Sequence, residues 1–252
     1  MRSPTERFSD RVSDYVRYRP SYPSGVVDAI VRRAKIGSDS TIADIGSGTG
    51  IFTSLLLETK AKVIGVEPNA PMRMAAVEKL GQRDRLSIVD GMAESTGLGS
   101  HSVDAVTAAQ AFHWFNRGLA KEEFQRILKP DGYVFLIWNG RKTTGSDFLD
   151  QYEQVLRELA SDYATTRHRN TSDEELLAWF DNPEAGIDEF SNSQVIDLDA
   201  LLGRAYSSSY VPAEGTPERE AITERLTDIF YSCQKDGKVS FEYETKVFYG
   251  KI

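Results

Sequence analysis

The stretch Ile42-Ala43-Asp44-Ile45-Gly46-Ser47-Gly48-Thr49-Gly50 constrains the fold more than any other part of the chain. A short apolar strand over 41–45 runs into a turn with glycine at every second position. A helix is then predicted over 51–58, with Ile51, Phe52, Leu55 and Leu56 on its buried side. Glycine is needed where the backbone bends sharply and a ligand approaches without a side chain in the way. The helix start behind it offers free N–H groups to a carboxylate or phosphate. The spacing is G-x-G-x-G, whereas a dinucleotide fingerprint reads G-x-G-x-x-G.

The alternation continues downstream. Strands are predicted over 62–67, 86–89, 103–109 and 133–138, and helices over 26–35, 71–80 and 119–128, the last stopped by Lys129-Pro130-Asp131-Gly132. Such βαβ units build a doubly wound, mainly parallel sheet. After Asn139 the rhythm breaks. Residues 146–180 read as two helical pieces around a polar run at 165–170, and Ser172 with Glu175 forms a capping box for the second. A sixth strand is predicted over 194–198 and a long helix from Thr216-Pro217 to about Gln234. The alternation of Phe241, Tyr243, Thr245 and Val247 with charged residues gives a seventh strand over 240–248, antiparallel and near the sheet edge. The expected architecture is one α/β domain over 1–252. It has an N-terminal lid arm over 1–23, a ligand-binding core over 38–140 and a helical, substrate-facing insertion over 141–192.

The formal charge of −8 argues against a nucleic-acid binder, because affinity for phosphates needs a basic face. Arg17-Tyr18-Arg19 and Arg32-Arg33 are the local exceptions, read either as a basic pocket or as solvated surface. The single cysteine, Cys233, excludes an intramolecular disulfide and a cysteine-rich metal site, and no metal is expected. Neither a secretory signal nor a membrane span is visible, so the expected location is the cytoplasm, as a monomer or homodimer.

A second acidic strand end, Val63-Ile64-Gly65-Val66-Glu67-Pro68, places Glu67 beside the glycine turn, where its carboxylate can accept from both hydroxyls of a ribose. A solvated strand-end acid is the other reading. Gln110, ending the fourth strand, points into the crevice of an open α/β sheet, with His113 and Trp114 one turn further. His113 serves as a base, as an orienting donor, or as a structural histidine. In the N-terminal arm, Tyr15, Tyr18, Arg19 and Tyr22 either fold over the crevice as a substrate-binding lid or pack on the surface.

In this order, these segments resemble class I S-adenosylmethionine-dependent methyltransferases. Asp90-Gly91-Met92-Ala93-Glu94 matches the family's adenine-holding segment, with Met92 where an aspartate is common, and 129–132 matches its turn before strand five. The resemblance implies that Asp44, Gly46, Ser47, Gly48, Glu67, Pro68, Met92, Ala93, Glu94 and Gln110 hold S-adenosylmethionine, with S-adenosylhomocysteine as the product. Gln110-Ala111-Phe112-His113-Trp114-Phe115-Asn116, Arg19-Pro20-Ser21-Tyr22-Pro23 and Ser207-Ser208-Ser209-Tyr210 resemble a small-molecule subgroup that includes trans-aconitate-type methyltransferases. That likeness implies a small-molecule acceptor, with Arg19 facing a carboxylate. A non-catalytic S-adenosylmethionine-binding regulatory module stays open, as does a nicotinamide-dependent oxidoreductase, for which the third glycine is misplaced.

Overall fold

The computed structural model describes residues 17–160, 163, 171–208 and 210–252. Its centre is a seven-stranded sheet in the order β3-β2-β1-β4-β5-β7-β6. The strands β1 (Thr41–Ile45), β2 (Lys62–Val66), β3 (Leu86–Val89), β4 (Val103–Ala109) and β5 (Leu128–Arg141) run parallel. β7 (Val239–Gly250) is antiparallel to both β5 and β6 (Gly186–Ile196). The β4–β5 register jumps from Val103↔Leu128 to Ala105↔Tyr133, so residues 129–132 bulge out, with Asp131 at φ 68°.

Helices cover both faces because alternate strand residues point to opposite sides. Val26 and Ile30 of α1 (Ser24–Ala34) and Phe52 and Leu56 of α2 (Ile51–Leu56) bury Ile42, Val63, Ala105 and Phe135 on one face. On the other, Phe124 and Ile127 of α4 (Arg117–Ile127) and Phe180 of α6 (Asp173–Phe180) cover Ala43, Ile45, Val106 and Val134. α3 (Ala70–Leu80) follows β2, capped by Asn69, whose side chain accepts from the Met72 N–H. A separate apolar cluster joins α5 (Asp147–Leu159), α7 (Leu198–Tyr206) and α8 (Pro217–Cys233) to the start of β7. Thr216 caps α8 as expected, accepting from Arg219 N–H, and Ser172 makes its half of the expected capping box, accepting from Glu175 N–H. Arg33 is a connector, its fork bound to Asp188 of β6 at 2.7 and 2.8 Å with Tyr249 beneath it.

The last strand is antiparallel and lies one place in from the sheet edge, between β5 and β6, as its alternation suggested. Two expectations are corrected. β6 begins at Gly186, so the end of the expected 141–192 insertion is strand. Leu198, expected to end the sixth strand, instead opens α7, which Asp197 caps. The polar run over 165–170 lies outside the described residues.

Candidate functional site

A cavity of about 540 Å³ opens at the carboxyl ends of the central strands. Gly46 and Gly48 take φ values of 70° and 55°, conformations that a side chain disfavours, and so turn the chain across the end of β1. The N–H groups of Gly46 and Ser47 donate to Val66 O at 2.8 and 3.1 Å, which ties the turn to β2. Ser47 and Thr49 line the cavity, and their buried hydroxyls have no hydrogen-bond partner among the described residues.

Asp44 is 1% exposed and accepts from Thr53 Oγ1 at 2.6 Å and Thr107 Oγ1 at 3.0 Å. Burial pushes its carboxyl up to about 6, against the pull of those hydroxyls. Glu67, also buried, accepts from Gly48 N–H and Asn69 N–H, both at 2.9 Å. Burial raises its carboxyl, opposed by those two amides. Each carboxylate oxygen keeps lone-pair capacity for a further donor. Glu67 therefore braces the glycine turn and lines the cavity with Pro68 beside it.

Met92, Ala93 and Glu94 form the next wall. Met92 and Ser95 exchange backbone hydrogen bonds, Met92 leaves half its surface exposed, and Glu94 holds Asn116 N–H at 2.6 Å. Gln110 reaches the cavity at φ 55°, but its Nε2 donates to Asn139 O at 2.9 Å. The amide nitrogen expected to serve a ligand is thus partly engaged within the protein. His113 and Trp114 lie in a 3-10 turn, Phe112–Trp114, with their rings 4.8 Å apart on the cavity wall. Phe112 is fully buried core.

Of the lid arm, Arg19 and Tyr22 line the cavity, Tyr15 lies outside the described residues, and Tyr18 is not among the cavity's lining residues. The Tyr18 ring instead packs against Gly203, where a β-carbon would collide with it. The segment 17–23 is fastened to the far end of the sheet. Arg19 Nη2 donates to Ser207 O, Gln194 Nε2 to Tyr18 O, and Asn139 and Asn192 both donate to Ser21 O.

Among the described residues, none between 140 and 203 lines the cavity. The far wall comes from Arg204, Tyr210 and Tyr243, which the sequence reading missed as site residues. An arginine on the same helix face as Leu201 and Ala205 was the available signal, since a charge on a buried face needs a reason. Among the described residues no cluster of three metal-ligating side chains occurs, and no helix is long and apolar enough to cross a membrane.

Residues 43–136 match the family described as a methyltransferase domain. An uncharacterised methyltransferase-like protein of Schizosaccharomyces pombe is 37% identical over 138 residues, 54% of this chain and 53% of that protein. An uncharacterised methyltransferase of Mycobacterium tuberculosis is 37% identical over 134 residues, 53% and 52% of the two chains. The chain thus spans about half the length of these relatives. Among solved structures, a candidate Type II methyltransferase from Anaeromyxobacter dehalogenans superposes with a TM-score of 0.66 at 20% identity, over 93% of this chain and 98% of that one. The chain therefore shares the fold of that structure, and within it residues 43–136 are similar to the methyltransferase domain.

Proposed function

We propose that this chain transfers the methyl group of S-adenosylmethionine to a small molecule. One observation carries the reading. Around one cavity, the glycine turn and the Glu67 carboxylate come together with two buried hydroxyls, Ser47 Oγ and Thr49 Oγ1, that have no partner among the described residues. A buried polar group left unsatisfied costs about 1–3 kcal/mol, so two together favour a polar ligand.

The residues fit that cofactor. Glu67 retains acceptor capacity for the ribose hydroxyls, Ser47 and Thr49 offer donors to the amino-acid tail, and the Met92–Glu94 segment flanks the base. When bound, the cofactor supplies a methyl group activated on a positively charged sulfur. The protein's part is to align the acceptor with that methyl and to exclude water. Trp114 and Phe115 provide apolar wall on the acceptor side. A carboxylate acceptor needs no base. A hydroxyl or carbon acid does, and His113 is the cavity-lining imidazole able to take its proton.

Titration calorimetry with S-adenosylhomocysteine tests the cofactor assignment. Glu67→Gln keeps the shape but removes the charge, and is expected to weaken binding by about tenfold to a hundredfold. Equal affinity in the variant would reject the ribose role. Label transfer from methyl-tritiated cofactor to any member of a metabolite library separates an enzyme from a sensor that only binds.

A further inference from the structure

Two arginines, Arg19 and Arg204, line the cavity together with the acidic Asp44, Glu67 and Glu94. Arg204 is only 7% exposed. Its Nε donates to Tyr243 Oη at 2.8 Å, and Tyr243 Oη donates in turn to Gln194 Oε1 at 3.3 Å. The guanidinium carbon lies 5.0 Å from the Phe241 ring centre and 5.4 Å from that of Tyr243, so aromatic surfaces fix its plane. Among the described residues neither Nη group has an acceptor and no carboxylate pairs with it.

The other deeply placed arginine is treated differently. Arg141 meets Glu153 at 2.6 Å and Tyr163 Oη at 3.0 Å, so its charge is answered inside the protein. A guanidinium this deep with no carboxylate beside it favours a ligand that brings an anion to its free Nη groups.

The topology says which ligand. Tyr243 is in β7, and the order β1-β4-β5-β7 puts that strand three spacings, about 14 Å, from the strand that carries the glycine turn. Arg204 therefore stands well beyond the residues that fit the cofactor. Resting on the methyl-transfer reading above, we propose that Arg204 is the anion-binding residue of the acceptor subsite and takes a carboxylate of the molecule to be methylated. Its planar fork suits that group, with two parallel N–H donors facing two oxygens. The carboxylate of the cofactor's own amino-acid tail is the other source of the same chemistry, and the experiment distinguishes the two.

The probes are acetate, succinate, citrate and benzoate, with succinamide as a neutral control. They are titrated into the full chain saturated with S-adenosylhomocysteine, and melting is followed in parallel. At least one acid is expected to bind and raise Tm, while succinamide does neither. Arg204→Met is expected to weaken that acid about tenfold or more and to leave S-adenosylhomocysteine affinity within about twofold. The ligand-free variant should melt close to the parent, because the lost hydrogen bond to Tyr243 is offset by removing a buried charge that no carboxylate answers. Tyr243→Phe keeps the ring and Arg204 but loses the oxygen that aligns the guanidinium. It should weaken the same acid several-fold, and it supplies the answer if Arg204→Met fails to fold.

Unchanged acid affinity in both variants, or no binding by any of the four acids, overturns the proposal. Loss of S-adenosylhomocysteine affinity in Arg204→Met assigns the charge to the cofactor tail and likewise overturns it. A parent protein that binds no S-adenosylhomocysteine rejects the methyl-transfer reading itself, and with it the acceptor assignment.

Discussion

Asp44 lies beneath the glycine turn with Thr53 and Thr107 as its hydrogen-bond partners, and its proton is held up to about pH 6. The folded chain thus keeps a proton that the unfolded chain, with an ordinary value of 3.8, has already released. Stability falls as pH rises through that window, by on the order of 3 kcal/mol from this group. Asp44→Asn is accordingly expected to raise Tm at pH 8 and to lose the advantage near pH 4. Equal Tm differences at both pH values would show an ordinary carboxyl. Glu123 has the opposite sign. The Arg126 guanidinium holds its carboxyl down to about 2, helped by Thr96. Its contribution is present above the ordinary carboxylate range and is lost as pH falls towards 2. Glu123→Gln should therefore cost about 1–3 kcal/mol at pH 7 and much less at pH 2, read from denaturant curves.

At the scale of elements, α7 and the segment 17–23 form one wall because Gly203 lets the Tyr18 ring lie directly on the helix. Gly203→Ala should cost about 1–3 kcal/mol by overpacking. A loss of anion binding in the same variant would follow from the movement of Arg204 next door. This wall is the part of the site that the sequence left unread. Strand–turn–helix units announce themselves locally, through the 42–50 stretch and the apolar strand ending at Glu67, and the residues expected there do line one cavity. Arg204, Tyr243 and Asn139 meet Arg19 only through long-range pairing of β5, β7 and β6, for which no local periodicity exists. β6 was under-read for a related reason. Its Asp188, Glu189, Ser191, Asn192 and Ser193 resemble loop residues, yet an edge strand with one solvated side accommodates them. For Tyr18 the sequence leaves open a place over the crevice or on the surface, and packing of its ring against Gly203 of α7 decides between them.

For the molecule as a whole, a ligand that binds only the folded chain adds RT ln(1 + [L]/Kd) to stability, about 2.7 kcal/mol at a hundredfold excess over Kd. For a chain of 252 residues, saturating S-adenosylhomocysteine should raise Tm by roughly 5–10 °C, and a flat thermal-shift titration would contradict cofactor binding. The sheet order has another consequence. β6 pairs with β7 and with no other described strand, and β7 comes after α7 and α8 in the chain. A ribosome adding about 5–20 residues per second thus releases β6 well before its neighbour exists. During that interval its backbone donors and acceptors are open to any passing strand, and its polar side chains are the protection against aggregation until translation delivers the missing partner.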